Sequence, residues 1–315
     1  MADAAKGAVL AALRAKGVTA DELCGMAQAL RAAATPLPGR PAGPLVDTCG
    51  TGGDGAGSIN VSTATALAVA ALGIPVVKHG NRSVSSRSGS ADVLEAMGIG
   101  LPATARDAGD MLARCGFTFL FAPLFHPAMK AVAPVRRALG VRTVFNILGP
   151  LANPATPSHQ LVGAYDPDAA RLMARALAGL ELERAFVVHG APAWDEATPM
   201  GPFLLLDVTG GTVTERTVDP RDYGIPRCRP EDLAGGDPEK NARLLGDALG
   251  GSPGPRRDAV VLNTALVLQL LEPGRRPRPL DPREAAARAE AALESGAVAQ
   301  LIARLREHSA AGADA

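Results

Sequence analysis

The sequence predicts an α/β protein in which a large domain with a mostly parallel central sheet is joined to a small, mainly helical domain. From Pro44 onward, short apolar runs alternate with alanine-rich segments of helical spacing, the mark of βαβ units with parallel strands. Between His126 and Asn153 two helical segments interrupt that rhythm. Two more precede it, set off by the proline- and glycine-rich stretch Pro36–Pro44.

Residues 4–34 carry Ala, Leu and Met at helical spacing, split into two helices by Gly17 and the cap signal Thr19-Ala20-Asp21-Glu22. A strand at Pro44–Thr48, a glycine loop, a helix at Asn60–Leu72, a strand at Ile74–Val77, a serine loop and a helix at Ser90–Met97 form a βαβα unit. A helix at Asp107–Cys115 and a strand at Phe117–Phe121 follow. Pro127–Leu139 reads as one helix, and Phe145–Leu151 as a second, short one ended by Gly-Pro. Packed on the N-terminal helices, these two would make the small domain from residues 1–40 and about 126–155, leaving 44–125 and 156–310 to the large one.

Alternation resumes with Gln160–Tyr165, Asp168–Leu180 and Arg184–His189. Phe203–Val208 and Thr212–Val218 flank Thr209-Gly210-Gly211, a hairpin signal. Helices are expected at Pro238–Leu249, Asp258–Leu271, Pro282–Glu294 and Val298–Glu307, and a frayed tail from Ser309, with 311–315 outside either domain.

Composition narrows the function. The 315 residues carry a formal net charge of zero, so no overall field favours nucleic acid or an anionic membrane. Aromatics are 3% of the chain, too few for base-stacking platforms. No apolar run approaches the roughly 20 residues of a membrane span, and no secretory signal opens the chain, so a cytoplasmic location is expected. Cys24, Cys49, Cys115 and Cys228 form no C-x-x-C pair, which argues against a zinc knuckle or disulfide framework; Cys49 reads as a small buried residue at a strand end.

The chemistry concentrates in two loops. Gly50-Thr51-Gly52-Gly53-Asp54-Gly55 follows a strand and precedes a helix, where bare backbone N–H groups make an anion site. It matches G-x-G-x-x-G, but no acidic residue stands about 20 positions on and Asp54 would lie beside a pyrophosphate, both against NAD; no Lys-Ser/Thr follows, against a Walker A loop. Asp54 suits a ligand with sugar hydroxyls or a bridging divalent metal, or else a local Asp-Gly turn. Ser62 and Thr63 stand in the first turn of the next helix. The second loop, Lys78 to Ser90, adds Lys78, His79, Arg82, Arg87 and five serines. Lys78 and Arg82, leaving a buried strand, call for a compensating anion. Two such loops on neighbouring strands suggest one phosphorylated ligand between them. Asp195-Glu196, past the strand ending at His189, suits Mg²⁺, which takes oxygen ligands and keeps waters and substrate phosphate. Arg136, on the inserted helix, has the fork that suits a substrate carboxylate. His79, His126 and His189 lack metal-ligand spacing and read as packing or hydrogen-bonding residues.

Together Gly50–Asp54, Asn60–Thr63, Lys78–Ser86, Ser88–Asp92, His126–Lys130, Val132–Arg136, Phe145–Leu151 and Asp195-Glu196 resemble the anthranilate phosphoribosyltransferases, of the glycosyltransferase family that also holds the pyrimidine nucleoside phosphorylases. The resemblance runs in order along nearly the whole chain. It implies a small helical domain hinged to the α/β domain, with 5-phosphoribosyl 1-diphosphate (PRPP) and Mg²⁺ between them, transfer of the phosphoribosyl group to anthranilate in tryptophan biosynthesis, and a homodimer formed through the helical domain. It assigns PRPP to Gly50, Gly53, Asp54, Ser58, Asn60, Val61, Ser62, Thr63, Lys78, His79, Gly80, Asn81, Arg82, Ser83, Val84, Ser85, Ser86 and Ser90; anthranilate to Gly50, Asn81 and Arg136; and magnesium to Ser62, Asp195 and Glu196. No single acid or base is implied.

Three features depart from the family pattern. Fewer helical residues precede Ala11–Gly17, Ala131 stands where histidine is expected, and the flanks of Asp195-Glu196 differ from the usual Asp-Glu-Leu/Ile-Ser. The last leaves room for another aromatic amine or a nucleobase as acceptor. Pyrimidine phosphorolysis fits less well, because it gives Asp195-Glu196 no purpose. A non-catalytic nucleic-acid-binding relative is opposed by the zero net charge.

Overall fold

The computed structural model describes residues 1–83, 87–272 and 280–313. Two helices open the chain, α1 (Asp3–Lys16) and α2 (Ala20–Ala32), the second started by the expected capping box between Thr19 and Glu22. After the proline-rich stretch come β1 (Val46–Gly50), α3 (Val61–Ala71), β2 (Val76–Gly80), α4 (Ser90–Ala96), α5 (Ala105–Cys115) and β3 (Phe117–Phe121). β2 therefore starts and ends later than Ile74–Val77, and Lys78 and His79 are strand residues rather than loop residues.

The insertion comprises α6 (Ala122–Phe125), a 3₁₀ turn at Pro127–Ala131, α7 (Ala133–Leu139), α8 (Phe145–Leu148) and a 3₁₀ turn at Gly149–Leu151. The single helix expected over Pro127–Leu139 is broken at Val132, because Pro134 cannot donate to the carbonyl four residues earlier and its ring would crowd it. Three side chains bind the N-terminal helices to this insertion: Lys6 donates to the Ala131 carbonyl, Arg14 to that of Arg142 and Arg31 to that of Leu151.

The chain continues with β4 (His159–Gly163), α9 (Pro167–Ala178), β5 (Arg184–His189), β6 (Phe203–Thr209), β7 (Thr212–Val218), α10 (Pro238–Leu249), α11 (Pro255–Leu270), α12 (Pro282–Glu294) and α13 (Ala297–Ala313). The tail expected to fray from Ser309 is helical to Ala313: the Ser309 hydroxyl donates to the Leu305 carbonyl and accepts from the Gly100 N–H, pinning α13 to the segment that follows α4. Residues 314–315 lie outside the described residues.

Among the described residues the strands form a seven-stranded sheet of order β3-β2-β1-β4-β5-β6-β7, with β1 to β5 parallel and β6 and β7 antiparallel. One face packs on α3, an almost wholly buried helix of Ala, Val, Leu and Thr, with α11, α12 and α13 beyond it. The other face packs on α9, and the apolar cluster there runs on through Leu23 of α2, Val135 of α7 and Ile147 of α8. The chain leaves β1 toward β2 on one side and returns to β4 on the other. That reversal opens a crevice at the carboxyl ends of the strands.

Candidate active site

The crevice holds a cavity of about 220 Å³. Its floor is the end of β1, the loop to α3 and the first turn of α3. One wall is the end of β2 with residues 87–90, and the other is Asp195-Glu196. In the glycine loop Gly52 (φ 63°) and Gly53 (φ 73°) are both left-handed, a pair of conformations that side chains would strain. The turn they make aims the loop amides toward the acidic segment.

The backbone N–H groups expected to stand bare are partly engaged. Asp195 Oδ2 accepts from the Gly52 N–H at 2.6 Å, and Glu196 Oε1 accepts from the Ser62 N–H at 3.1 Å. Asp54 makes the local turn, accepting from the Ala56 N–H at 3.0 Å, and also accepts from the Asp195 N–H at 3.3 Å. The acidic pair thus holds amides of the anion loop itself. Three carboxylates meet in a half-buried place, and burial followed by the nearby Asp54 charge raises Asp195 above the usual carboxylate range. Burial and Asp195 raise Glu196 as well.

Lys78, 2% exposed, donates to the Thr48 carbonyl at 2.6 Å and to Ser62 Oγ at 3.3 Å. Burial lowers its pKa, opposed chiefly by the Asp47 charge. Asn60 Nδ2 donates to the Ser88 carbonyl, and the Thr63 hydroxyl is buried at the cavity without a protein partner. Cys49 is buried, which raises its pKa well above the ordinary thiol value and makes it an inert lining residue.

Of the residues singled out in the sequence, Gly50, Gly53, Asp54, Ser58, Asn60, Ser62, Thr63, Lys78, His79, Gly80, Asn81, Ser90, Asp195 and Glu196 line this one cavity. Val61 does not; as the first residue of α3 it is buried in the core. Arg82 turns away to Glu95 and Asp92, and the Ser83 N–H donates to Asp92. Arg136 stands on α7, outside the cavity, its guanidinium 5.2 Å from the centre of the Phe145 ring. Val84, Ser85 and Ser86 lie outside the described residues. His79 and His189 are hydrogen-bonding residues, with Nδ1 at the Gly149 and Ala164 carbonyls.

A sequence profile described as "Glycosyl transferase family, a/b domain" matches residues 42–299. The anthranilate phosphoribosyltransferase of Desulforudis audaxviator is 49% identical over 301 residues, covering 96% of this chain and 85% of its own. That of Nitratidesulfovibrio vulgaris is 48% identical over 308 residues, covering 96% and 89%. The crystal structure of the Thermus thermophilus enzyme superposes with a TM-score of 0.90 at 42% identity, over 98% of this chain and 91% of that one. The Saccharomyces cerevisiae enzyme in complex with PRPP and Mg gives 0.88 at 26% identity, over 97% and 85%. The chain belongs to the anthranilate phosphoribosyltransferase family.

As a phosphoribosyltransferase of that family, the chain relies on residues that its motifs did not reveal. A Cβ on Gly163 would strike the Asp195 carbonyl, and one on Gly190 the Glu196 carbonyl, so two glycines at strand ends seat the acidic pair. Asn241 of α10, 1% exposed, donates to Asn60 Oδ1 at 2.9 Å and accepts from the Gly236 N–H. A polar residue on the apolar face of a helix was the available signal. Arg142 donates to the Gly53 carbonyl at 2.6 Å and lies over the Tyr165 ring, tying the insertion to the glycine loop.

The donor set fits Mg²⁺. Asp195, Glu196 and Ser62 offer hard oxygens, and each carboxylate keeps one oxygen free of the amides it caps. Among the described residues no three His, Cys, Asp or Glu side chains could hold an ion by themselves. Water and a ligand's phosphate oxygens would have to complete its shell, as magnesium favours. No described helix is long and apolar enough to cross a membrane.

Proposed function

We propose that the protein transfers the phosphoribosyl group of PRPP to anthranilate, giving N-(5-phosphoribosyl)anthranilate and diphosphate, with Mg²⁺ as cofactor and tryptophan biosynthesis as its setting. The observation that carries this is the single cavity in which the glycine loop, the start of α3 and Lys78 face Asp195 and Glu196. Asn60, Ser62, Thr63, Lys78 and the loop amides would hold the diphosphate end, and Gly50, Asn81 and Arg136 the anthranilate. Bound by Asp195, Glu196 and Ser62, magnesium would neutralise charge growing on the departing diphosphate.

As the bond from C1 of the ribose to diphosphate lengthens, C1 becomes positive. Donors of the loop that Asp195 and Glu196 do not already hold, together with Lys78, would stabilise the leaving group. The anthranilate nitrogen then attacks C1 from the opposite face, and its proton passes to solvent. A neutral aromatic amine needs no strong base to attack. Holding the amine in line is work for the insertion, which carries Arg136 and meets the glycine loop through Arg142.

Residues 1–40 and 126–155 would act as one helical unit hinged to the rest. Val9, exposed on α1, would contribute to a dimer contact there. The direct test follows anthranilate fluorescence with PRPP and Mg²⁺, beside diphosphate release with a panel of aromatic amines and nucleobases. Unchanged fluorescence with diphosphate released to another acceptor would reassign the acceptor and keep the reaction class.

A further inference from the structure

β1 and β2 are sheet neighbours but pair at Val46↔Val76 and then part, whereas β1 stays in register with β4 from Val46↔His159 to Gly50↔Gly163. Side chains fill the gap. Asp47, on β1 and fully buried, accepts the His79 N–H of β2 on Oδ1 at 3.2 Å and the Asn153 Nδ2 on Oδ2 at 2.8 Å. Asn153 also donates to the Val77 carbonyl of β2 at 2.9 Å, and Lys78 Nζ reaches back to the Thr48 carbonyl of β1. Backbone groups that a parallel ladder would pair are satisfied instead by a carboxylate, an amide and an ammonium. The strands are thereby held as a wedge open toward the cavity.

Asn153 closes the insertion, and four residues earlier the Gly149 carbonyl meets His79 Nδ1 at 3.2 Å. The wedge and the end of the insertion are therefore one polar network. A buried carboxylate is expensive unless its hydrogen bonds are made, and a closed β1–β2 ladder with a hydrophobic residue at 47 would pair the same backbone groups at lower cost. Stability alone does not account for it.

We propose that Asp47, together with Asn153, is a positioning residue of this site: by replacing the β1–β2 ladder it sets the separation of the two strand ends and so the placement of the Lys78 ammonium against the first turn of α3. The proposal rests on the reading of the cavity as a PRPP site. Neither residue lines the cavity. Their effect reaches the ligand through Lys78.

The test compares wild type with Asp47→Asn, which keeps an acceptor for His79 but opposes two amides at 153, and with Asn153→Ala. Calorimetry with PRPP and Mg²⁺ should show a weakening of about tenfold or more in each variant, while the anthranilate KM at saturating PRPP stays within about twofold. PRPP affinity within about twofold of wild type in folded variants overturns the proposal. So do equal losses for both substrates that follow the fall in melting temperature, because that is what a purely structural residue would give. A second readout uses no ligand: amide hydrogen exchange at His79 should quicken about tenfold or more in Asp47→Ala, and unchanged exchange overturns the wedge. If wild type binds no PRPP while that exchange does quicken, the reading of the cavity falls and the wedge stands.

Discussion

The main-chain carbonyl of Asp195 occupies the position where Gly163, the last residue of β4, would carry a side chain, and Gly50, its partner on β1, meets the Asp195 carboxylate in the same way. The acidic segment is thus seated on two glycines side by side at the switch point of the sheet. Gly163→Ala should shift Asp195 by the better part of an ångström and lower kcat/KM by about 100-fold or more, with the fold retained by circular dichroism. Gly246→Ala is the control: that exposed glycine lies within α10 and its Cβ would meet nothing, so it should stabilise by about 0.5–1 kcal/mol and leave turnover unchanged.

Asp54, Asp195 and Glu196 crowd negative charge into a half-buried site, an arrangement that costs stability until a cation arrives. Asp195→Asn combined with Glu196→Gln should melt several degrees above wild type without metal and lose nearly all turnover. Added Mg²⁺ should raise the melting temperature of wild type more than that of the double variant. Thermal melts with and without the metal check both statements, and a less stable double variant would contradict the first.

Burial, with the neighbouring His126 next, takes His79 down to about 3, and burial lowers His126 too; their rings lie 5.1 Å apart, edge to face. Both are neutral in the fold, whereas in the unfolded chain they take up protons below about 6.5. A depressed folded pKa gives stability that is present above the unfolded value and is lost as pH falls below it. These two imidazoles therefore lose stability from pH 7 to pH 5 while the raised Asp195 and Glu196 gain it, so thermal melts at both pH values should show His79→Gln with His126→Gln rising relative to wild type as the pH falls.

Arg136 lies outside the phosphate cavity, half-buried over Phe145, on the insertion that would carry the acceptor. Arg136→Ala should raise the anthranilate KM about tenfold or more and leave kcat and the PRPP KM within about threefold. Steady-state kinetics with each substrate varied in turn separates this from a loss of PRPP binding.

The strands Phe117–Phe121 and Arg184–His189, the hairpin at Gly210-Gly211 and the helices Pro238–Leu249 and Pro282–Glu294 were legible residue by residue, because apolar period, caps and turn glycines are local properties. So was the gathering of the two loops, since successive parallel strands send their ends to the same edge of a sheet. The end of β2 was misread because Lys78 and His79 look like loop residues. In the fold Lys78 reaches the Thr48 carbonyl and Ser62, and His79 Nδ1 meets the Gly149 carbonyl, so polar residues can close a buried strand.

The sequence by itself determined the order of elements, the composition of the anion loops and the acidic pair, all set by neighbours along the chain. Tertiary structure alone decided that Asp195 and Glu196 cap the loop amides, that Gly163 and Gly190 must be bare, that Arg82 turns to Glu95 while Lys78 faces the site, and that Asp47 and Asn153 replace a ladder. Each of these except the Arg82 and Lys78 contacts joins residues more than thirty positions apart or requires two backbones to meet; Lys78 depends on how β2 lies beside β1 and α3, and Arg82 on how α4 packs beside its loop. Steric exclusion and the burial of charge act between such partners only once the chain has folded.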